Sequence, residues 1–177
     1  MPTPENGVEV IRYPDKILTH EQAIAKIRVL RRQRLSVILA TGVFDEIHEG
    51  RMDHLNGSKA QGDVLFVGIE NDEASGIIKG EEYKLVHPVH HRIIKVSELE
   101  PVDFVFGFND MPYDEVGCGA LIERYRTLNP TALAISTWDP EFDRKRFQAE
   151  KSGIKTATVE FVQRELSTML LHHYGHE

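Results

Sequence analysis

The segment that most constrains the fold is residues 35–51, with the sequence LSVILATGVFDEIHEGR. An apolar run stops at Thr41, a glycine follows it, and the letters HEGR occupy residues 48–51. A strand of a parallel sheet is buried on both faces and is therefore continuously hydrophobic, and a helix start presents unpaired N–H groups and a partial positive charge. The segment predicts a buried strand, a tight glycine turn and a helix start that can hold phosphate. The dinucleotide fingerprint G-x-G-x-x-G and the phosphate loop G-x-x-x-x-G-K-S/T are both absent.

Strand-like and helix-like segments alternate along the rest of the chain. Apolar runs predict strands over residues 35–40, 64–69, 102–107, 131–136 and 155–160. Helical spacing predicts a first helix that begins after Thr19, and further helices over about 50–60, 88–99, 113–127, 140–152 and 166–174. This alternation predicts an α/β fold: a Rossmann-like, doubly wound, five-stranded parallel sheet with helices on both faces.

The domain organisation follows from the same pattern. Residues 1–16 contain three prolines and a glycine and predict an irregular N-terminal arm, and residues 17–177 predict a single domain. In an open parallel sheet, ligands bind beyond the carboxyl ends of the strands. We therefore expect residues 41–51, 70–92 and 136–138 to converge on one cleft.

The composition is that of a soluble globular protein, with 41% hydrophobic and 28% charged residues. No run of about 18 apolar residues occurs, and the sequence MPTPENGVEV lacks the order of a secretory signal. We expect a cytoplasmic protein that does not bind a membrane. The single Cys118 has no cysteine or histidine at zinc spacing, so we expect neither an internal disulfide nor a structural metal.

The net charge of −7 argues against nucleic acid as a partner, because affinity for the phosphate backbone comes from clustered lysine and arginine. The basic run RVLRRQR at residues 28–34 is a local exception. Cations near a helix C-terminus complement the helix dipole, and we interpret the run as a solvated helix end.

The motif that begins at Thr41, TGVFDEIHEGR, resembles the (N/T)-G-x-F-D-x-x-H-x-G-H signature of the nucleotidyltransferase superfamily that transfers CMP or AMP to a phosphorylated acceptor. Further segments follow in the order typical of bacterial sugar-phosphate nucleotidyltransferases, at residues 59–63, 64–72, 79–80, 88–92 and 102–105. The pattern is most similar to the heptose 1-phosphate adenylyltransferase domain and covers about residues 17–172.

This resemblance implies a nucleotidylyl transferase fold and an activity. The expected reaction joins AMP or CMP from ATP or CTP to a phosphorylated sugar or polyol and releases pyrophosphate. The resemblance also implies Mg²⁺ that arrives with the nucleotide, no metal site built by the protein itself, and a homodimer. The sequence does not choose between ATP and CTP, nor does it name the acceptor.

The resemblance also assigns roles to residues. It implies that His48, Arg51 and Arg92 stabilise the triphosphate, and that Lys79 or Lys84, in a predicted mobile loop at residues 76–84, holds the acceptor phosphate. The residues implied to form the nucleotide pocket are Thr41, Gly42, Val43, Phe44, Gly50, Thr137, Trp138, Ser167 and Thr168.

The chain departs from the family pattern at three places, and these leave alternatives open. Arg51 stands where the signature has its second histidine, Thr41 replaces the asparagine before the glycine, and no lysine follows the fourth predicted strand. A family member that binds a nucleotide or phosphorylated ligand without turnover is therefore the alternative to an active enzyme. His54 either reaches the pocket or is a partly buried helix residue, and Trp138 either stacks on a base or covers the core. Asp45 has a structural alternative as a helix cap.

Overall fold

The computed structural model describes residues 15–80, 82–111 and 119–160. Its strands are β1 (Ile17–Leu18), β2 (Val37–Gly42), β3 (Val64–Ile69), β4 (Phe104–Gly107), β5 (Ala132–Ser136) and β6 (Lys155–Val159). Its helices are α1 (His20–Arg32), α2 (Glu49–Lys59), α3 (Asp72–Lys79), α4 (Val89–Ser97), α5 (Gly119–Leu128) and α6 (Phe142–Ser152). None of the helices in these three ranges combines the length and apolar character needed to cross a bilayer.

All six strands are parallel and form one sheet in the order β1-β4-β3-β2-β5-β6. The predicted α/β class is confirmed, and each of the five predicted strands occurs. The sixth strand, Ile17–Leu18, pairs with the edge of β4 through Ile17 opposite Val105. Two residues are too few to show a periodic pattern, so the sequence did not reveal this strand.

Both faces of the sheet are covered, because alternate residues of each central strand point to opposite sides. On one face, Val37 and Leu39 of β2 pack in a cluster with residues of α1, α5 and α6. On the other face, Ile38 and Ala40 pack in a cluster with residues of α2 and α4. This two-sided burial explains why the strand is hydrophobic at every position.

Helix α3 corrects one prediction. The segment around residues 76–84 was expected to be a glycine-rich mobile loop, yet the chain is helical from Asp72 to Lys79. The side chain of Asn71 caps this helix by accepting a hydrogen bond from the backbone N–H of Ala74 at 2.8 Å. The two acidic residues after the cap also favour a helix start. Lys79 is therefore fixed at a helix end.

Three predicted elements lie partly or wholly outside the described residues. These are the N-terminal arm up to residue 14, the first part of the helix predicted over 113–127, and the last predicted helix at 166–174. Where the chain is described, the helix start at Thr19 is confirmed. Its side chain accepts from the N–H of Gln22 at 3.2 Å, and the Gln22 side chain accepts from the N–H of Thr19 at 2.8 Å.

Candidate active site

A cleft of about 530 Å³ opens beyond the carboxyl ends of β2 and β5. The strand order reverses between these two neighbours, since β3 and β4 follow on one side of β2 and β6 lies on the far side of β5. Open parallel sheets bind ligands at such a reversal. The basic side chains that line the cleft are His48, Arg51, His54, Lys79, Arg144 and Lys145, and the carboxylates are Glu70, Asp139 and Glu141.

The structure brings most of the predicted site residues to this cleft. Those that line it are Thr41, Gly42, Val43, His48, Gly50, Arg51, Lys79 and Trp138. Phe44 is buried beside it, with the Arg51 guanidinium 4.8 Å from its ring centre. Lys84 and Thr137 are exposed and do not line the cleft, and Ser167 and Thr168 lie outside the described residues.

His48 forms the N-cap of α2. Its Nδ1 accepts a hydrogen bond from the backbone N–H of Arg51 at 3.3 Å. In a neutral imidazole an accepting Nδ1 leaves the proton on Nε2, so the other edge of this exposed ring is a hydrogen-bond donor. The positive end of the α2 dipole lies at the same place. The corner between β2 and α2 is therefore suited to an anion.

Arg51 lies in the first turn of α2 and packs against the glycine turn. A Cβ atom on Gly42 would lie 3.2 Å from the Phe44 ring and 3.8 Å from an Arg51 terminal nitrogen. Burial lowers the pKa of Arg51, and the charge of Asp139 opposes this change. Arginine keeps its charge under such conditions and can grip phosphate through two N–H groups. Its Nε has no hydrogen-bond partner among the described residues.

His54 lies one turn further along α2 and also lines the cleft. Burial lowers its pKa to about 4, and the charges of Arg51 and Lys145 add to this effect while Asp139 opposes it. The ring is therefore neutral at pH 7, and its Nδ1 has no hydrogen-bond partner in the described part of the protein. The interpretations that the sequence left open are both correct, because His54 is partly buried and reaches the pocket.

His54 makes the free energy of unfolding fall as the pH becomes more acidic. Its folded-state pKa is lower than that of the unfolded chain, so protons bind the unfolded chain first, and stability falls as the pH drops from about 6.5 toward 4. We expect His54 to account for a loss of about 2 kcal/mol of unfolding free energy between pH 7 and pH 5. Urea unfolding at both pH values should show that His54→Asn removes this part of the pH dependence.

The control for this experiment is His90→Asn, which changes an exposed histidine of α4 that lies outside the cleft. Its pH dependence should match that of the native chain. If the His54→Asn protein loses as much stability as the native chain between pH 7 and pH 5, the burial and charge environment inferred for His54 is wrong.

Helix α6 contributes cations that the sequence analysis did not assign. Arg144 and Lys145 line the cleft from the first turn of this helix, and Lys145 Nζ lies 2.5 Å from a carboxylate oxygen of Asp139. Cations in a first turn are unfavourable for the helix dipole. That signal was available in the sequence and could have identified both residues, because an anionic ligand would offset the cost.

Arg92 is not part of the cleft, and its predicted contact with the triphosphate is not what the structure shows. Its side chain is fully buried. The guanidinium donates to the carbonyl oxygens of Val43, Glu70 and His87, and forms an ion pair with Asp72 at 2.6 Å. Arg92 thus ties together the ends of β2 and β3 and the starts of α3 and α4.

Asp45 holds the segment after α3 against the glycine turn. Its carboxylate accepts hydrogen bonds from the Tyr83 hydroxyl at 2.7 Å and from the N–H groups of Val86 and His87, both at 2.9 Å. Burial alone would raise its pKa, but these hydrogen bonds lower the pKa to about 2. Its predicted capping role is wrong, because His48 caps α2.

Glu70 forms the base of the cleft within a buried ion-pair network. Arg124 contacts both Glu70 carboxylate oxygens, at 2.7 and 3.1 Å, and Asp110 at 2.6 Å. Burial lowers the pKa of Arg124, but its hydrogen bonds to the two carboxylates outweigh this and raise it overall. The guanidinium carbon lies 3.6 Å from the centre of the Phe108 ring. This network gives the cleft a rigid base.

Trp138 is 66% exposed and stands at the side of the cleft. It does not cover the core, so one of its two predicted roles is excluded, and an indole surface remains accessible to a ligand.

Within residues 15–80, 82–111 and 119–160, no three His, Cys, Asp or Glu side chains are grouped closely enough to hold a metal ion. The ring nitrogens of His87 contact protein groups: Nδ1 lies 3.1 Å from the Asp45 carbonyl oxygen, and Nε2 lies 3.0 Å from Lys95 Nζ.

A parallel sheet with a cleft rich in cations at its strand reversal is typical of Rossmann-like α/β proteins that bind nucleotides. The chain belongs to the cytidylyltransferase-like family, which matches residues 39–168. The superfamily predicted from the TGVFDEIHEGR motif is thereby confirmed.

The chain is similar to curated relatives named bifunctional protein HldE, which agrees with the resemblance to the heptose 1-phosphate adenylyltransferase domain. It is 33% identical to the protein of Desulfatibacillum aliphaticivorans over 106 residues, which are 60% of this chain and 22% of the relative. It is 31% identical to that of Shigella sonnei over 94 residues, which are 53% of this chain and 20% of the relative. The chain therefore corresponds to about a fifth of the relatives' length.

Two solved structures share the fold. A lipopolysaccharide core biosynthesis protein from Thermoplasma volcanium is 21% identical with a TM-score of 0.56, and the match covers 74% of this chain and 99% of the other. A pantoate-beta-alanine ligase from Francisella tularensis, in complex with beta-gamma ATP and beta-alanine, is 16% identical with a TM-score of 0.59. That match covers 85% of this chain and 68% of the ligase.

Proposed function

We propose that the protein transfers AMP or CMP from a nucleoside triphosphate to a phosphorylated sugar or polyol. The observation that carries this proposal is that His48 and Arg51, at the corner where β2 meets α2, line the same cleft as Lys145 of α6. A helix N-terminus and three cationic or donor side chains in one cleft are what a triphosphate requires. Membership of the cytidylyltransferase-like family supports the same reaction class.

In the proposed reaction, a phosphate oxygen of the acceptor attacks the α-phosphorus of the nucleotide. The bond from that phosphorus to the bridging oxygen of the β-phosphate breaks, and pyrophosphate leaves with the electron pair. The protein needs no nucleophile of its own, since its part is to align the two phosphates and neutralise the charge that develops. His48 would donate from Nε2, and Arg51 and Lys145 would supply fixed positive charge.

The neutral imidazole of His54 supplies a group that Arg51 cannot provide. Arg51 supplies charge where the signature has its second histidine, but it cannot act as a neutral imidazole. His54 provides a neutral imidazole one helical turn away, on the wall of the same cleft. We assign to Arg51 and His54 together the place of the second motif histidine.

The remaining parts of the cleft suit the two substrates. Lys79, held at the end of α3, would contact the acceptor phosphate, and the exposed indole of Trp138 would stack on the base. Mg²⁺ would be held by the triphosphate oxygens, with Asp139 as a carboxylate on the cleft wall, and would neutralise phosphate charge. Lys84 lies outside the cleft and has no place in this proposal. The homodimer and the cytoplasmic location stay predictions.

The activity is tested by incubating the full chain with ATP or CTP, Mg²⁺ and a panel of sugar and polyol phosphates, and by detecting pyrophosphate. We expect release that requires both a nucleotide and an acceptor. Arg51→His restores the family signature and serves as the comparison. If the native chain releases no pyrophosphate while Arg51→His does, the native protein binds its ligand without turnover and the proposed activity is wrong.

A further inference from the structure

A second concave surface, of about 560 Å³, lies between the C-terminal ends of α1 and α5. We call this surface the arginine pocket. Ile24 and the almost fully buried Leu128 also line it. Its rim carries the side chains of Arg28, Arg31, Arg32 and Arg126. The sequence showed the basic run of α1 but gave no indication that Arg126 of α5 completes it.

The arginine pocket is remote from the cleft. It lies near Asn129, just before the start of β5, where the N–H of Thr131 bonds to the carbonyl oxygen of Val37 at 2.8 Å. The cleft lies beyond the opposite ends of these strands. The six residues of β2 separate the two sites by about 20 Å, so one small molecule cannot occupy both.

Two of the four arginines are held in place. Arg31 donates to the backbone oxygen of Asn129 at 2.9 Å and to its side-chain oxygen at 2.5 Å. Arg126 donates to the carbonyl oxygen of Lys151 at 3.2 Å and to the carboxylate of Glu123 at 2.6 Å. A ligand would therefore meet two guanidinium groups whose positions are already fixed.

The other two arginines, Arg28 and Arg32, are exposed. Within residues 15–80, 82–111 and 119–160, no carboxylate forms an ion pair with either of them. Each helix C-terminus carries roughly half a negative charge, so two helix ends offset about one of the four positive charges. Glu123 offsets one more. Helix-end stabilisation therefore explains only part of the cluster. Among the described residues, about two of its positive charges are not offset, although the net charge of the chain is −7.

We propose that the arginine pocket binds a small phosphorylated molecule, separate from those that react in the cleft. Arginine forks match phosphate oxygens in pairs, and two helices place four such groups around one concave surface. The size of the pocket is within the range of small-molecule sites. The negative charge of the rest of the chain disfavours a long nucleic acid.

Calorimetric titration of the full chain with pyrophosphate in low-salt buffer tests this proposal. We expect the native chain to bind two equivalents, one in the cleft and one in the arginine pocket. In the Arg28→Gln/Arg32→Gln protein, one of the two binding events should weaken by at least about tenfold, because two charge-assisted contacts are lost. Lys26→Gln/Arg146→Gln removes two exposed charges that line neither site, and it should bind like the native chain.

A third protein separates this inference from the proposed function. Arg51→Gln should weaken only the event in the cleft. If pyrophosphate binds once, and Arg28→Gln/Arg32→Gln weakens that event while Arg51→Gln does not, the arginine pocket stands and the triphosphate site of the cleft fails. If Arg28→Gln/Arg32→Gln, with a native circular-dichroism spectrum, titrates like the native chain, the arginine pocket is not a phosphate site.

Discussion

His48→Asn is expected to lower kcat/KM for the nucleoside triphosphate by about 10²- to 10³-fold, with little change in stability. The reason is that the Nε2 donor disappears from the anion-binding corner, while the asparagine oxygen can still accept from the N–H of Arg51 and cap α2. The helix is therefore retained and the phosphate contact is lost. Steady-state kinetics with varied ATP or CTP, alongside urea unfolding, measures both effects.

The matched control is His90→Asn, which makes the same replacement at an exposed histidine outside the cleft. It should leave kcat/KM within about twofold of the native value, since surface changes away from a site have small effects. If His48→Asn retains native kcat/KM and native unfolding, the imidazole at position 48 has no role in the reaction.

Arg92→Met is expected to lower the free energy of unfolding by about 4 kcal/mol. Methionine fills much of the same space, but the carbonyl oxygens of Val43, Glu70 and His87 lose a donor in the protein interior. The ends of two strands and the starts of two helices would then lose their common link. Urea unfolding monitored by circular dichroism measures the change.

Arg146→Met is the control, since this arginine is half exposed and its ion-pair distances are both 3.9 Å. Its unfolding free energy should change by no more than about 0.5 kcal/mol. The sequence resemblance predicted instead that Arg92 contacts phosphate. That prediction would be right if Arg92→Met unfolded like the native chain and bound the nucleotide poorly.

The fold could be predicted because its signals are local. Each buried strand is a continuous apolar run, and the chain returns to a helical pattern between strands. Helix α3 was not predicted, because Gly76 and the charged residues after it are typical of a loop. Asn71 and the two acidic residues that follow it do signal a helix start. The strand Ile17–Leu18 was not predicted, because its formation depends on pairing with the edge of β4 and not on a pattern in its own sequence.

The site could be predicted only in part. Residues of the motif reach the cleft because the strand, the turn and the helix are contiguous in sequence. The role of Arg92 depends on which carbonyl groups are left unpaired by four elements, and no single segment of sequence contains that information. The same is true of Arg124, whose two partners, Glu70 and Asp110, come from separate strand ends.

In the proposed complex, the cations of the cleft hold the triphosphate of the nucleotide. A crystal structure of the native chain with a non-hydrolysable analogue of ATP or CTP and Mg²⁺ would show whether they do. We predict density for the triphosphate at the start of α2, within hydrogen-bond distance of His48, Arg51 and Lys145. A cleft without nucleotide at saturating analogue, or a triphosphate bound away from these three side chains, would show that these side chains do not form the triphosphate site.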